Sequence, residues 1–168
     1  MKGLKAISIS VVALSLLAGS AVGVAAQDDP MAPAAVTGTI TPWSEVSAGT
    51  TSSVDGATVM DGARFSSTWA ASDPRLSGTT TITTNWKLYE DLRMLVEAAN
   101  YSLENDGGRW AGTATSLVGE QAGDTDTVVL HGVDAYEGLA AYVVIDRASR
   151  TFNAAVLPGG MPDFPPAE

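Results

Sequence analysis

The sequence predicts an all-β protein, a single antiparallel barrel of about eight strands preceded by a signal-peptide helix. Three observations carry this. The central part of the chain is rich in Thr, Val, Ser and Gly, with short runs broken by turn residues roughly every ten positions, which is β punctuation. Several runs alternate with period two, so that successive side chains go to opposite faces of a sheet. Asn105-Asp106-Gly107-Gly108 is a strong tight-hairpin signal, because Asn, Asp and Gly tolerate the positive φ that such turns use.

Taken from the start, Lys2 and Lys5 form a positive n-region, Ala6 to Ala18 is uncharged and rich in Ile, Val and Leu, and small residues run on to Ala26. This is the pattern of a cleavable secretory signal over residues 1–26, with the cut between Ala26 and Gln27 and the small Val24 and Ala26 before it. An uncleaved anchor over Ile7 to Ala26 is the weaker alternative: about 20 apolar residues span a bilayer, but the half GSAVGVAA is only weakly hydrophobic. Residues 27–35 (QDDPMAPAA) read as a flexible linker, residues 36–158 as the barrel domain and residues 159–168 as a Pro/Gly-rich tail.

Within the domain, strands are expected over Val36 to Thr41 and near Ala57 to Met60. In Arg64 to Ala71, Phe65, Ser67, Trp69 and Ala71 share a face; in Thr79 to Trp86, Thr80, Ile82, Thr84 and Trp86 do. Ser72-Asp73-Pro74-Arg75 is the turn between them. Leu88, Leu92, Leu95, Val96 and Ala99 fall at helical spacing, but the hairpin at Asn105 needs a first strand reaching back to about Met94, which leaves Lys87 to Arg93 for a loop or a single helical turn. Thr127 to Leu130, Leu139 to Ile145 and Phe152 to Leu157 complete the set. Leu139 to Ile145 is apolar on both faces, which predicts a central strand or one covered on both sides. A barrel of about eight strands has an interior that is either filled by side chains or able to hold one small ligand.

The run His131-Gly132-Val133-Asp134-Ala135-Tyr136-Glu137-Gly138-Leu139-Ala140-Ala141 resembles the late hairpin of the allene oxide cyclase-like and dirigent-like barrels. Gly132, Tyr136 and Gly138 match the family's glycine and aromatic positions, whereas Asp134 and Ala141 stand where it usually has glycine. The segment Asn105 to Gly112 and the close Gly159-Gly160-Met161-Pro162 look like secreted bacterial relatives of this barrel type. The resemblance implies an eight-stranded barrel, often oligomeric, with a cavity for an apolar molecule, and it places no catalytic carboxylate on a particular residue. Read on their own, Gly132 and Gly138 bracket a turn in which a side chain would obstruct the backbone.

Composition narrows function. There is no cysteine, which excludes a lipoprotein anchor and disulfides. The formal net charge is −10, and without Lys2 and Lys5 seven basic residues face nineteen acidic ones, a net of −12. Such a surface argues against nucleic-acid or anionic-lipid partners. Leu157-Pro158-Gly159-Gly160 lacks the threonine of a wall-sorting signal, and no apolar tail follows it.

His131, the only histidine, is expected to be structural or exposed, since no Gly-x-Ser-x-Gly elbow and no cysteine accompany it. Asp124, Asp126, Asp134 and Glu137 are oxygen donors in two turns, but their spacing fits no calcium loop, so they read as solvated turn acids and no metal or other cofactor is assigned. Trp69, Trp86, Trp110, Tyr136 and Tyr142 are the cavity candidates, with core filling the alternative role; Trp43 lies in a Pro-containing segment and says less. Asn100-Tyr101-Ser102 matches a glycosylation acceptor but falls inside a strand. The first expectation is a secreted, non-enzymatic acidic barrel that binds a small apolar ligand or assembles with copies of itself. Second comes a cyclase- or isomerase-type enzyme, which needs a carboxylate or arginine pointing inward, and third a matrix or surface component acting through its acidic exterior.

Overall fold

Asn105 and Gly108 pair directly across a two-residue turn, so the hairpin forms where the sequence places it. The computed structural model describes residues 29–120 and 122–160. The signal segment, its cleavage point at Ala26 and Gln27, and residues 161–168 of the tail lie outside the described residues. The device that holds this hairpin differs from the expected one. Neither Asp106 nor Gly107 takes a positive φ. Instead the Asn105 side-chain oxygen accepts hydrogen bonds from the backbone N–H groups of Gly107 (2.9 Å) and Gly108 (3.0 Å), an Asx turn that replaces backbone strain with side-chain bonding.

Ten antiparallel strands follow one another: β1 (Ala34–Ile40), β2 (Ser44–Ser47), β3 (Thr50–Val54), β4 (Ala57–Ala71), β5 (Gly78–Tyr89), β6 (Met94–Asn105), β7 (Gly108–Gly119), β8 (Thr125–Val133), β9 (Leu139–Asp146) and β10 (Thr151–Pro158). From β4 to β10 each strand pairs with the next. β1 then pairs with β10 along one edge and, through Gly38 to Ile40, with Trp69 to Ala71 of β4 along the other. The path of hydrogen bonds therefore returns to β4. The remaining length of that β4 edge is taken by β2 and then β3.

Three departures from the sequence reading have local causes. The runs Ala57 to Met60 and Arg64 to Ala71 belong to one strand, whose register with β5 shifts between Met60 and Ala63. At that bulge Gly62 takes φ 71° and its N–H donates to the Asn85 side chain at 2.8 Å. β5 continues to Tyr89 before a 3-10 turn over Glu90–Leu92, so only the end of the expected Lys87 to Arg93 loop is loop, while β6 starts at Met94 as expected. β2 and β3 were not foreseen, because SEVS and TTSSV are exposed throughout and carry no buried alternation.

Alternation sorts the side chains. Val36 and Ile40, Ser67 and Trp69, Thr80, Ile82 and Thr84, Ala99, Tyr101 and Leu103, Trp110 and Ala114, Val128 and Leu130, Ala141, Val143 and Ile145, and Phe152 and Val156 are all buried, spaced two or four residues apart on one face of their strands. β9 is central, between β8 and β10; its second face is covered at Ala140, which is buried, half-buried at Tyr142 and open at Val144, which is 48% exposed. The linker also ends earlier than expected. β1 begins at Ala34, and the Arg75 guanidinium donates to the carbonyls of Pro30 (2.7 Å) and Ala32 (3.0 Å).

Candidate functional site

The connections β4–β5, β6–β7 and β8–β9 lie at one end of the paired ring, and side chains fill that end. The Trp110 ring stacks on Tyr136 with centroids 5.1 Å apart, and its indole N–H donates to the Arg75 carbonyl at 2.8 Å. Leu76, in the β4–β5 turn, is fully buried beside them in the core. The Tyr136 hydroxyl donates to the Asn105 side-chain oxygen at 2.8 Å, while the Asn105 amide donates to the carbonyls of Pro74, Arg75 and Ser77. Burial raises the Tyr136 phenol, and its hydrogen bond to Asn105 only partly offsets this. Gly132 is required here, because a Cβ would run into the Tyr136 carbonyl, and Gly138 takes φ 87°.

The opposite end, served by the β5–β6, β7–β8 and β9–β10 connections, holds a cavity of about 230 Å³. Trp43, Phe65, Trp86, Leu95 and Ile82 give it apolar walls; Thr84, Tyr101, Glu97, Asp126 and Arg147 give it polar ones. The charged groups arrive there by strand parity. Glu97 continues the inward row Leu103, Tyr101, Ala99; Asp126 continues Leu130, Val128; and Arg147 follows Val143 and Ile145 just beyond the end of β9.

These three form one linked group. The Arg147 Nε–H donates to both oxygens of Asp126 at 2.8 Å, and its Nη2 reaches Glu97. Thr84 donates its hydroxyl proton to Glu97 at 2.5 Å, Ser116 donates to Asp126, and the Arg147 backbone N–H anchors the loop to the Asp124 carbonyl at 3.0 Å. Asp126 is almost fully buried at 1% exposure, whereas the Arg147 side chain keeps 24%. Burial opposes the Arg147 charge, but the hydrogen bond to Asp126 and the attraction of Glu97 and Asp126 outweigh it and hold the guanidinium more firmly protonated than in water. Tyr101, buried on the cavity wall, has its phenol driven far above its ordinary range, by burial first and then by the Asp126 charge.

The sequence candidates are therefore divided. Trp86 lines the cavity, shared with Trp43. Trp69 lies in the filled interior, edge-on to Tyr101 (6.3 Å) and tilted over Phe152 (4.8 Å), and Trp110 and Tyr136 close the far end. Tyr142 pairs with Val129 and Ala155 on the outer face and does not reach the cavity. Asp126 is not a turn acid: it sits on β8, buried against Arg147. His131 is exposed on β8, and among the described residues no three His, Asp or Glu side chains gather as a metal site. Glu97 and Arg147 match no catalytic spacing along the chain, and Asp126 reads there only as a turn acid. The available signal was a charged residue on the apolar parity of β6 and of β8, with Arg147 continuing that of β9 one residue past its end.

A second concavity, about 1010 Å³, runs along β4 to β8, lined mostly by outer-face residues such as Lys87, Val96 and Leu117 and sharing Trp86 and Glu97 with the smaller cavity. There Val96 and Leu117, directly paired and 43% and 47% exposed, form an apolar patch. Compared with known families and with curated proteins, the sequence matches no family model and no curated protein.

Proposed function

We propose that the chain is a small-molecule-binding β-barrel, exported after removal of residues 1–26, whose ligand enters between Trp86 and Arg147. The observation behind this reading is the pairing of β1 with both β10 and β4 around a cavity that is apolar on most walls and polar on one. A ring of eight paired strands is the size at which an antiparallel barrel can hold one small ligand. Mostly apolar walls with a few convergent polar groups are the usual composition of a ligand site. The resemblance to allene oxide cyclase-like and dirigent-like barrels agrees with this architecture.

The test is a panel of lipids, terpenoids and aromatic compounds, followed by tryptophan fluorescence and thermal shift. Binding should perturb Trp43 and Trp86 and raise the melting temperature, and Trp86→Ala should weaken both responses. Silence across the panel would remove the reading. Export is checked separately by the N-terminal mass of the secreted product, expected to begin at Gln27.

A cyclase or isomerase is the second reading, and one observation favours it: Glu97, Asp126 and Arg147 point into the cavity. Paired acids and a guanidinium there can stabilise charge that develops in a reacting ligand. Product formation from a bound compound that is lost in Glu97→Gln with binding retained would promote this reading over simple carriage.

A further inference from the structure

We infer that the cavity at the Glu97–Arg147 end selects a small organic cation, an ammonium group carried on an apolar or aromatic body, over neutral and anionic compounds of the same shape. This rests on the ligand-binding reading above and specifies the chemistry of its ligand.

Charge is the first argument. Two carboxylates, Glu97 and Asp126, share one guanidinium, so the group keeps one negative charge in excess. The carboxylate side chains are 10% and 1% exposed, which leaves little water to screen that excess. Among the described residues the cavity is lined by no other cationic side chain. A positively charged ligand would bring the group to neutrality, whereas an anion would meet two carboxylates whose only counter-charge is already engaged.

Acceptor capacity is the second. An ionised carboxylate offers about four lone-pair sites. Asp126 is taken up by Ser116, the bifurcated Arg147 Nε–H and the Tyr101 hydroxyl, whereas Glu97 receives only Thr84 and Arg147, so acceptor sites remain on Glu97. What the cavity has left to offer is acceptors next to negative charge, which matches the N–H donors of an ammonium ion.

The walls are the third. Trp43, Phe65, Trp86 and Tyr101 line the same small space, and aromatic faces attract cations most strongly where water is excluded. Tyr101 stays a neutral phenol, held so by burial and by the Asp126 charge, so on the polar wall it adds an aromatic ring and no further anion. The space of about 230 Å³ equals roughly eight water volumes, enough for a single ring with a short amine. The net charge of −10 over the whole chain draws cations toward the protein in general and raises their rate of encounter.

Three probes of one shape decide the matter: 2-phenylethylammonium, 2-phenylethanol and 3-phenylpropionate, each titrated into the purified protein near neutral pH with fluorescence and calorimetric readout. The ammonium compound should bind at least tenfold more tightly than the alcohol, with no saturable binding of the carboxylate. The preference should shrink in Glu97→Gln, whose folding is checked by its urea midpoint, and the wild-type series stands even where that variant fails to fold. Equal or tighter binding of the alcohol overturns the cation inference and leaves the apolar-ligand reading standing. Preferred binding of the carboxylate overturns it as well. Failure of all three probes while the lipid and terpenoid panel responds overturns the inference alone; failure of both sets removes the reading beneath it.

Discussion

Arg147 Nε lies 2.8 Å from both carboxylate oxygens of Asp126, a bifurcated contact made at the end of the sheet opposite to the one the aromatic rings close. Replacing such a buried ion pair by apolar side chains is often neutral for stability, whereas deleting one partner strands the other. Arg147→Met should therefore destabilise by roughly 2–4 kcal/mol, somewhat less than is usual for a fully buried pair because the guanidinium is partly hydrated. The combined Glu97→Leu, Asp126→Leu, Arg147→Met chain should regain most of that loss. Urea unfolding of both variants measures the difference, and equal losses would mean that the charges themselves stabilise the fold.

Thr80→Val should be stabilising. Among the described residues, the Thr80 and Ser67 hydroxyls and the Trp69 indole N–H are buried without a hydrogen-bond partner, and Thr80 and Ser67 face each other across β5 and β4. An unsatisfied buried polar atom costs about 1–3 kcal/mol, so removing the hydroxyl at nearly constant volume should gain about 1 kcal/mol in urea unfolding. A loss of stability would reveal a partner for that hydroxyl.

Stability should fall as pH rises above 10 through Tyr101. Its phenol is raised in the folded state, while the unfolded chain titrates near the ordinary 10.0. Above that value the unfolded state gives up the proton and the folded state keeps it, so unfolding is favoured as pH increases. In Tyr101→Phe the alkaline limb of the stability profile should flatten relative to wild type, whatever the change at pH 7.

An acid limb should come from Asp73. Burial alone would raise its carboxyl, but hydrogen bonds from the Arg75 side chain and backbone outweigh this and hold it below the ordinary 3.8. The stabilisation is complete above that value and disappears as pH falls through the folded-state value. Denaturation midpoints between pH 5 and 2 should drop more steeply for wild type than for Asp73→Asn, which has already lost the ion pair at neutral pH.

Gly132→Ala should fail where Gly160→Ala does not. A Cβ at 132 collides with backbone at Tyr136, whereas at 160 it meets nothing within 4 Å. The first change should cost at least about 2 kcal/mol, through a backbone shift that disturbs the Trp110–Tyr136 stack, and the second less than about 0.5 kcal/mol. Near-ultraviolet circular dichroism follows the stack directly.

Much of the sheet was legible because period-two burial is written in the sequence. Ser67 and Trp69, Thr80 to Thr84 and Ala141 to Ile145 alternate in burial along the runs read as strands. β2 and β3 were not legible, since an exposed strand paired only along an edge needs no apolar pattern. The bulge at Gly62 hid the unity of β4 by switching parity partway along it. Cavity residues were harder. A tryptophan on the inward face is equally suited to packing and to lining, and only position along the strand separates Trp86, near the open end, from Trp69 and Trp110. Glu97, Asp126 and Arg147 lie 29 and 21 residues apart in sequence and meet only because three strand ends converge.

Trp110, Tyr136 and Leu76 fill one end of the interior, so a ligand admitted past Trp86 as proposed would leave by the same route. For a ligand bound as proposed, occupancy would then be single file: a resident molecule would block its successor, loading would saturate at one per chain, and competing compounds would displace one another only after a departure. Residence time would be governed at the threshold formed by Trp43, Trp86 and Arg147, and a bulkier or smaller side chain there would change how long a guest stays more than how quickly it arrives.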